Sequence, residues 1–182
     1  MPRIEPTTIE NAPQSTKSTL EQIKQNLGMV PNIVGTLAKS PAALNGYLKL
    51  KEAMGTGTLG EKFGESIAIA VAKKSQCDYC TAAHNAMGKK AGVEDDEREL
   101  NRNGKSNDPK VQAGIDLALA IVEDRGFISD DAFESAKSKL NEEEILEVAA
   151  ITVFNLYTNY MNHIIETKVD FPEVQTTASA GA

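Results

Sequence analysis

Six consecutive apolar residues, Ile67 to Ala72, constrain this chain more than any other stretch. A helix drawn through IAIAVA has no polar side, so other elements must cover it all round. Thr58 and Glu61 ahead of it make a T-x-x-E capping box, which opens a helix by satisfying its first free N–H groups. Lys73 and Lys74 suit the negative end of the same helix. Ser75 with Asp78 reads as a second box. It predicts another helix from there to Ala91, with Lys89 and Lys90 in the last turn and Gly92 just beyond its end.

The rest of the chain carries the same punctuation. Residues 1–14 are polar, contain Pro2, Pro6 and Pro13, and read as an arm with no core of its own. Ser18 and Glu21 predict a capping box for a helix with Leu20, Ile23 and Leu27 on one stripe, ended by Gly28. Pro31 opens a short helix, and Ser40-Pro41 caps the next. After a polar stretch beyond Gly92, Asp108-Pro109, Ser129 and Asn141 with Glu144 each announce a helix. The last of these runs from about Glu142 to Ile165. Asp170-Phe171-Pro172 stops it, and 173–182 reads as a loose tail. No segment alternates as a strand does. The expected fold is all-α, a single domain of about eight helices.

Composition narrows the function. A formal net charge of −7 disfavours nucleic acid and anionic membrane as partners. No apolar segment approaches the ~20 residues of a membrane span, and MPRIEPTTIENAP lacks the apolar core of a signal peptide. The expected setting is the cytoplasm. In that reducing setting a C-x-x-C pair points to catalysis or metal binding rather than to a structural staple.

The chain has two cysteines, Cys77 and Cys80, both at the head of the second central helix, where the helix dipole favours a thiolate. His84 follows Cys80 at i+4, which places their Cβ atoms roughly 5–6 Å apart. Cys77 lies about 10 Å of helical rise from His84. The imidazole can therefore take a proton from Cys80 more easily than from Cys77, and Cys77 can close a disulfide on the oxidised Cys80. Other readings stay open. Cys77, Cys80, His84 and His163 are acceptable zinc ligands, and two buried cysteines can simply pack. A general disulfide reductase or a non-enzymatic metal-binding or assembly protein would also use this pair. Glu65, at the head of the apolar run, lies either on a solvated flank or against a polar partner. His163 reads as a core histidine satisfied by a neighbour.

Together Glu65, Cys77, Cys80 and His84 spell E-x11-C-x2-C-x3-H, which resembles the signature of the alkylhydroperoxidase AhpD-like group in the carboxymuconolactone decarboxylase family. Leu27 to Asn32, Ser40-Pro41, Asn155 to His163 and Asp170 to Pro172 resemble the peroxidase-related members. The resemblance implies an AhpD-like helical domain, a homo-oligomer (a trimer or hexamer), and reduction of hydroperoxides without metal, haem or other cofactor. It implies Cys80 as peroxidatic cysteine, Cys77 as resolving cysteine, His84 as base and Glu65 as its orienting or relaying partner. An external dithiol or thioredoxin-like reductant would reset the pair. The chain departs from the best-known pattern at Tyr79, where a histidine stands between the cysteines; the departure implies a simpler relay and weaker activity. The redox pair argues against the family's decarboxylase chemistry.

Overall fold

The computed structural model describes residues 1–172 and Val174, so nearly all of the tail at 173–182 lies outside the described residues. Over the described residues the fold is all helical, with nine helices where about eight were expected. They are α1 (Gln14–Leu27), α2 (Asn32–Leu37), α3 (Pro41–Met54), α4 (Gly60–Lys74), α5 (Asp78–Lys90), α6 (Asp95–Arg102), α7 (Pro109–Glu123), α8 (Asp130–Lys137) and α9 (Glu142–Ile165). No helix among the described residues is long and apolar enough to cross a membrane.

The apolar run dictates the layout. From Ser66 to Ala72 every residue of α4 is buried, and α5, α6, α7 and α9 close around it. The core has two parts. One gathers Phe63, Ile67 and Val71 of α4 with Leu117, Leu140, Ile145 and Val148. The other gathers Leu20, Leu44, Ala72, Cys77, Tyr79, Cys80 and Ile165. Helices α4 and α7 approach closely because Gly114 has no side chain: a Cβ there would stand 2.6 Å from the Phe63 ring.

Four capping signals act as the sequence predicts. Ser40, Asp108 and Ser129 each accept a backbone N–H at the start of their helices, and Asn141 with Glu144 forms a complete capping box. Three do not. Ser18 lies inside α1, which starts at Gln14 after Pro13. Ser75 ends α4 instead of opening α5, and Cys77 takes the N-cap position. Thr58 does not cap α4, and the carboxylate of Glu147 on α9 instead ties down the turn just ahead of that helix from across the fold. It accepts Thr58 N–H at 2.7 Å, Leu59 N–H at 2.9 Å and the Thr58 hydroxyl at 3.2 Å.

The N-terminal arm has no core of its own, yet it is docked. Thr7 N–H donates to Gly35 O at 3.1 Å and Arg3 N–H to Ile165 O at 2.8 Å, with Ala12 buried. Asp170 accepts Asn32 N–H at 2.7 Å and draws residues 168–172 back over the start of α2.

Burial pushes the Glu147 carboxyl up, but the donors at Thr58 and Leu59 outweigh it and hold it below its ordinary value of 4.5. Its contribution to stability is therefore complete above that value and is lost as pH falls through the lower, folded-state value. Glu147→Ala should cost on the order of 1 kcal/mol, as the loss of a helix cap does. Thermal melts at pH 7 should show the deficit, and melts taken at successively lower pH should show it shrink.

Candidate active site

The turn between α4 and α5 sets the site. Gln76 adopts a left-handed conformation at φ 54°, which turns the chain so that Cys77 enters extended and becomes the N-cap of α5. Its sulfur takes the place that a serine or aspartate oxygen usually holds, accepting Cys80 N–H at 3.3 Å. The two cysteines are free thiols, each 2% exposed, with their sulfurs 2.7 Å apart.

Their environments differ. The hydrogen bond from the Cys80 thiol, the largest influence, lowers the Cys77 pKa from its ordinary value against the opposing effect of burial, and Cys80 N–H adds to it. The same interaction raises Cys80, with burial and the charge of Cys77 adding to the rise and Asn162 and Thr158 offsetting part of it. Of the two thiols, Cys77 is thus the one whose surroundings favour the charged form. Only Cys80, however, lies on the wall of the adjoining cavity, whose volume is about 610 Å³. Glu65 and His84 line the same cavity, along with Tyr47, Leu48, Met87 and Phe154.

Glu65 on α4 has a polar partner and not a solvated flank: its Oε2 is 2.9 Å from His84 Nδ1, with both side chains largely buried. That contact fixes the ring and leaves Nε2 as the nitrogen free for proton transfer. The i+4 spacing led us to expect His84 on Cys80 itself. Among the described residues no hydrogen bond joins them, because the ring is held by Glu65. The Cys80 sulfur instead receives Asn162 Nδ2–H at 3.2 Å from α9, 82 residues away. Asn162 was missed by spacing, and only its place in a polar run on a long apolar helix hinted at a role.

The remaining residues sort as follows. The Tyr79 hydroxyl lies at 3.4 Å from Ile33 N–H, and its ring meets Phe171 edge-on at 5.7 Å. Burial and the neighbouring Asp170 charge raise its pKa, so it stays a neutral peg between α5, α2 and the 168–172 segment. His163 is exposed, contrary to the expected core histidine, because it faces away from the packed side of α9. Among the described residues no three His, Cys, Asp or Glu side chains gather as a metal site requires, so Cys77, Cys80, His84 and His163 do not form the tetrahedral set that zinc would need.

Residues 41–102 match the family model of the carboxymuconolactone decarboxylase family. No curated protein matches the chain. Among solved structures, the alkylhydroperoxidase AhpD core of a peroxidase-related protein from Ralstonia eutropha JMP134 is 23% identical, with a TM-score of 0.84 over 93% of this chain and 92% of that one. A peroxidase-related protein from Silicibacter sp. TM1040 is also 23% identical, with a TM-score of 0.79 over 87% and 86%. The debrominase Bmp8, with a cysteine-to-alanine variant in complex with 2,3,4-tribromopyrrole, is 19% identical, with a TM-score of 0.80 over 92% and 91%. These likenesses establish a shared fold.

Asn162 tests the electrostatics of the pair. A hydrogen bond to a charged group contributes about 1.5–3 kcal/mol, so Asn162→Leu should slow alkylation of Cys80 by iodoacetamide about tenfold. Peptide mapping of alkylated protein reads the effect at each cysteine, and Cys77 should change less.

Proposed function

We propose that this member of the carboxymuconolactone decarboxylase family is a thiol-dependent hydroperoxidase working in a reducing compartment. The observation that supports it best is that Cys80, with a second thiol 2.7 Å behind it, shares a cavity with the Glu65–His84 pair. The chemistry runs as follows. His84 takes one proton from the thiol pair, leaving one proton shared between two sulfurs. As Cys80 attacks the terminal oxygen of R–O–OH, the shared proton passes to Cys77. The O–O bond breaks and its electron pair leaves on R–O⁻, which takes the proton held by His84. The products are ROH and a Cys80 sulfenic acid. Cys77 then attacks the Cys80 sulfur, the S–S bond forms, and the S–OH bond breaks to release water. An external dithiol supplies two electrons and two protons to reset the pair.

The lower thiol pKa of Cys77 does not make it the attacking group, since it is absent from the cavity wall. A proton shift between adjacent sulfurs delivers the charge to Cys80 at the moment of attack. Reduction of protein disulfides in general is disfavoured, because a cysteine 2% exposed gives a folded partner no approach. The cavity instead suits a small organic molecule. At about 610 Å³ it is about twenty times the ~30 Å³ share of one water and within the range of small-ligand sites. The same size favours a second reading, dithiol-driven reduction of a halogenated aromatic. There the pair would give two electrons and one proton, the carbon–halogen bond would become C–H, halide and a second proton would leave, and Cys77 and Cys80 would end as a disulfide.

Reduced protein should lose two thiols per equivalent of cumene hydroperoxide. Cys80→Ser should abolish the loss, while Cys77→Ser should trap a sulfenic acid that dimedone labels. His84→Ala should slow oxidation by ~10²-fold or more, as removal of a general base does, and Glu65→Gln should slow it less. Thiols unchanged by hydroperoxide, with bromide released from a brominated pyrrole, would replace this reading with the second.

The proposed assembly is a second copy of the chain seated on α9. Leu146, Val153, Tyr160 and Ile164 are 56% to 70% exposed, and with half-buried Ala150 and Tyr157 they recur at alternating steps of four and three, the spacing of a coiled-coil seam. Beside them Phe127, 86% exposed, adjoins a mostly apolar hollow lined by Ile121, Val122, Arg125, Gly126, Val153, Leu156 and Tyr160. A knob and a hole on one face suit a two-fold contact. Antiparallel pairing would set Glu142 and Glu143, both exposed, near the partner's exposed His163 and Lys168, where Glu166 is already paired with Arg3. This favours a dimer or a hexamer of paired subunits. Sedimentation at micromolar concentration should show an oligomer that Val153→Glu with Tyr160→Glu dissociates; a monomeric wild type would end the proposal.

A further inference from the structure

Tyr47 on α3 has no role in the chemistry described so far. Its side chain lines the cavity with Cys80, His84 and Glu65. Its ring is fixed by stacking on Phe154 of α9, with centroids 5.5 Å apart and planes 24° from parallel. Its hydroxyl makes no hydrogen bond to any described residue, although the side chain is half-buried. A donor held rigidly at the edge of a reaction cavity with nothing to bind is a donor reserved for what enters the cavity.

We infer that the Tyr47 hydroxyl hydrogen-bonds the substrate oxygen on which negative charge develops when Cys80 attacks. For an organic hydroperoxide this is the oxygen bonded to carbon, which leaves as alkoxide. The inference rests on the hydroperoxidase reading of the site. The geometry divides two tasks. Glu65 and His84 hold and return a proton, while Tyr47 points a neutral O–H dipole from the α3 side. Burial, followed by the nearby charges of Glu65 and Cys80, pushes the Tyr47 phenol up to about 12. Such a phenol keeps its proton throughout, so it donates a hydrogen bond and the imidazole completes the transfer. Tyr47 also bears on specificity. Its ring and Phe154 form one flat aromatic wall beside the hydroxyl, so an apolar R group can lie on the wall while its oxygen meets the donor.

Tyr47→Phe keeps the ring, the stack and the cavity volume while deleting one hydroxyl. Removing one preorganised donor at a charge-developing oxygen typically lowers turnover by about 10²–10³-fold; for a neutral phenol, kcat/KM for cumene hydroperoxide should fall at least tenfold. Alkylation of Cys80 by iodoacetamide, which develops no charge on a substrate oxygen, should stay within about twofold of wild type, and the melting temperature should hold. Phe154→Leu, which frees the ring but keeps the hydroxyl, should give a smaller fall. A Tyr47→Phe protein as fast as wild type overturns the assignment alone. An equal fall in alkylation also overturns it, because Tyr47 would then act on the thiol pair. A wild type that leaves the hydroperoxide intact overturns the hydroperoxidase reading and this assignment with it.

Discussion

Helix α4 has no face in water from Ser66 to Ala72, and the rest of the molecule is arranged by the need to cover it. A two-sided apolar helix demands neighbours on every flank, and α5, α6, α7 and α9 supply them. The turn that leads into it is held from outside as well, by Glu147 of α9. The site follows from the same demand. Glu65 stands just before the fully buried stretch, and Cys77 and Cys80 just after it. Packing α5 and α9 against one helix brings carboxylate, imidazole, the Cys80 thiol and Asn162 around a single cavity.

The thiol pair shows how position and charge can be assigned to different atoms. Cys77 has the better electrostatic place, with an N–H and a thiol directed at it, but no access to the cavity. Cys80 has access but the poorer place. At 2.7 Å the conflict dissolves, since a proton moving between the sulfurs exchanges the two states. The pair is a single acid with two sulfurs, and in the proposed chemistry Cys77 tunes the first step and is indispensable only for the second.

Four local capping signals are legible in the sequence. Ser40, Asp108, Ser129 and Asn141 cap the helices their positions announce. Thr58 and Ser75 looked equally good and cap nothing, because Glu147 and Cys77 hold those places. The Glu147 contact spans 89 residues, and nothing in the T-x-x-E pattern registers a competitor so far away. The site divides the same way. Spacing brought Cys77, Cys80 and His84 to one end of a helix, but not the choice of His84 for Glu65 over Cys80, a contact between helices. Asn162 and Tyr47 stayed hidden because their relevance lies in a cavity bounded by α3, α4, α5 and α9, which no single segment describes. Seam and site also share α9. Leu146, Val153, Tyr160 and Ile164 face outward while Asn155, Thr158 and Asn162 face in.

The sulfur of Cys77 is both a redox atom and a structural one. It accepts the Cys80 N–H in the first turn of α5, and any negative charge it takes on strengthens the start of that helix. As half of a disulfide it is a neutral, weak acceptor, and the same N–H loses its counter-charge. In the proposed cycle a disulfide would replace this hydrogen bond by a covalent link inside the same turn, so the reduced and oxidised forms would differ in the backbone at the head of α5 as well as in the S–S bond.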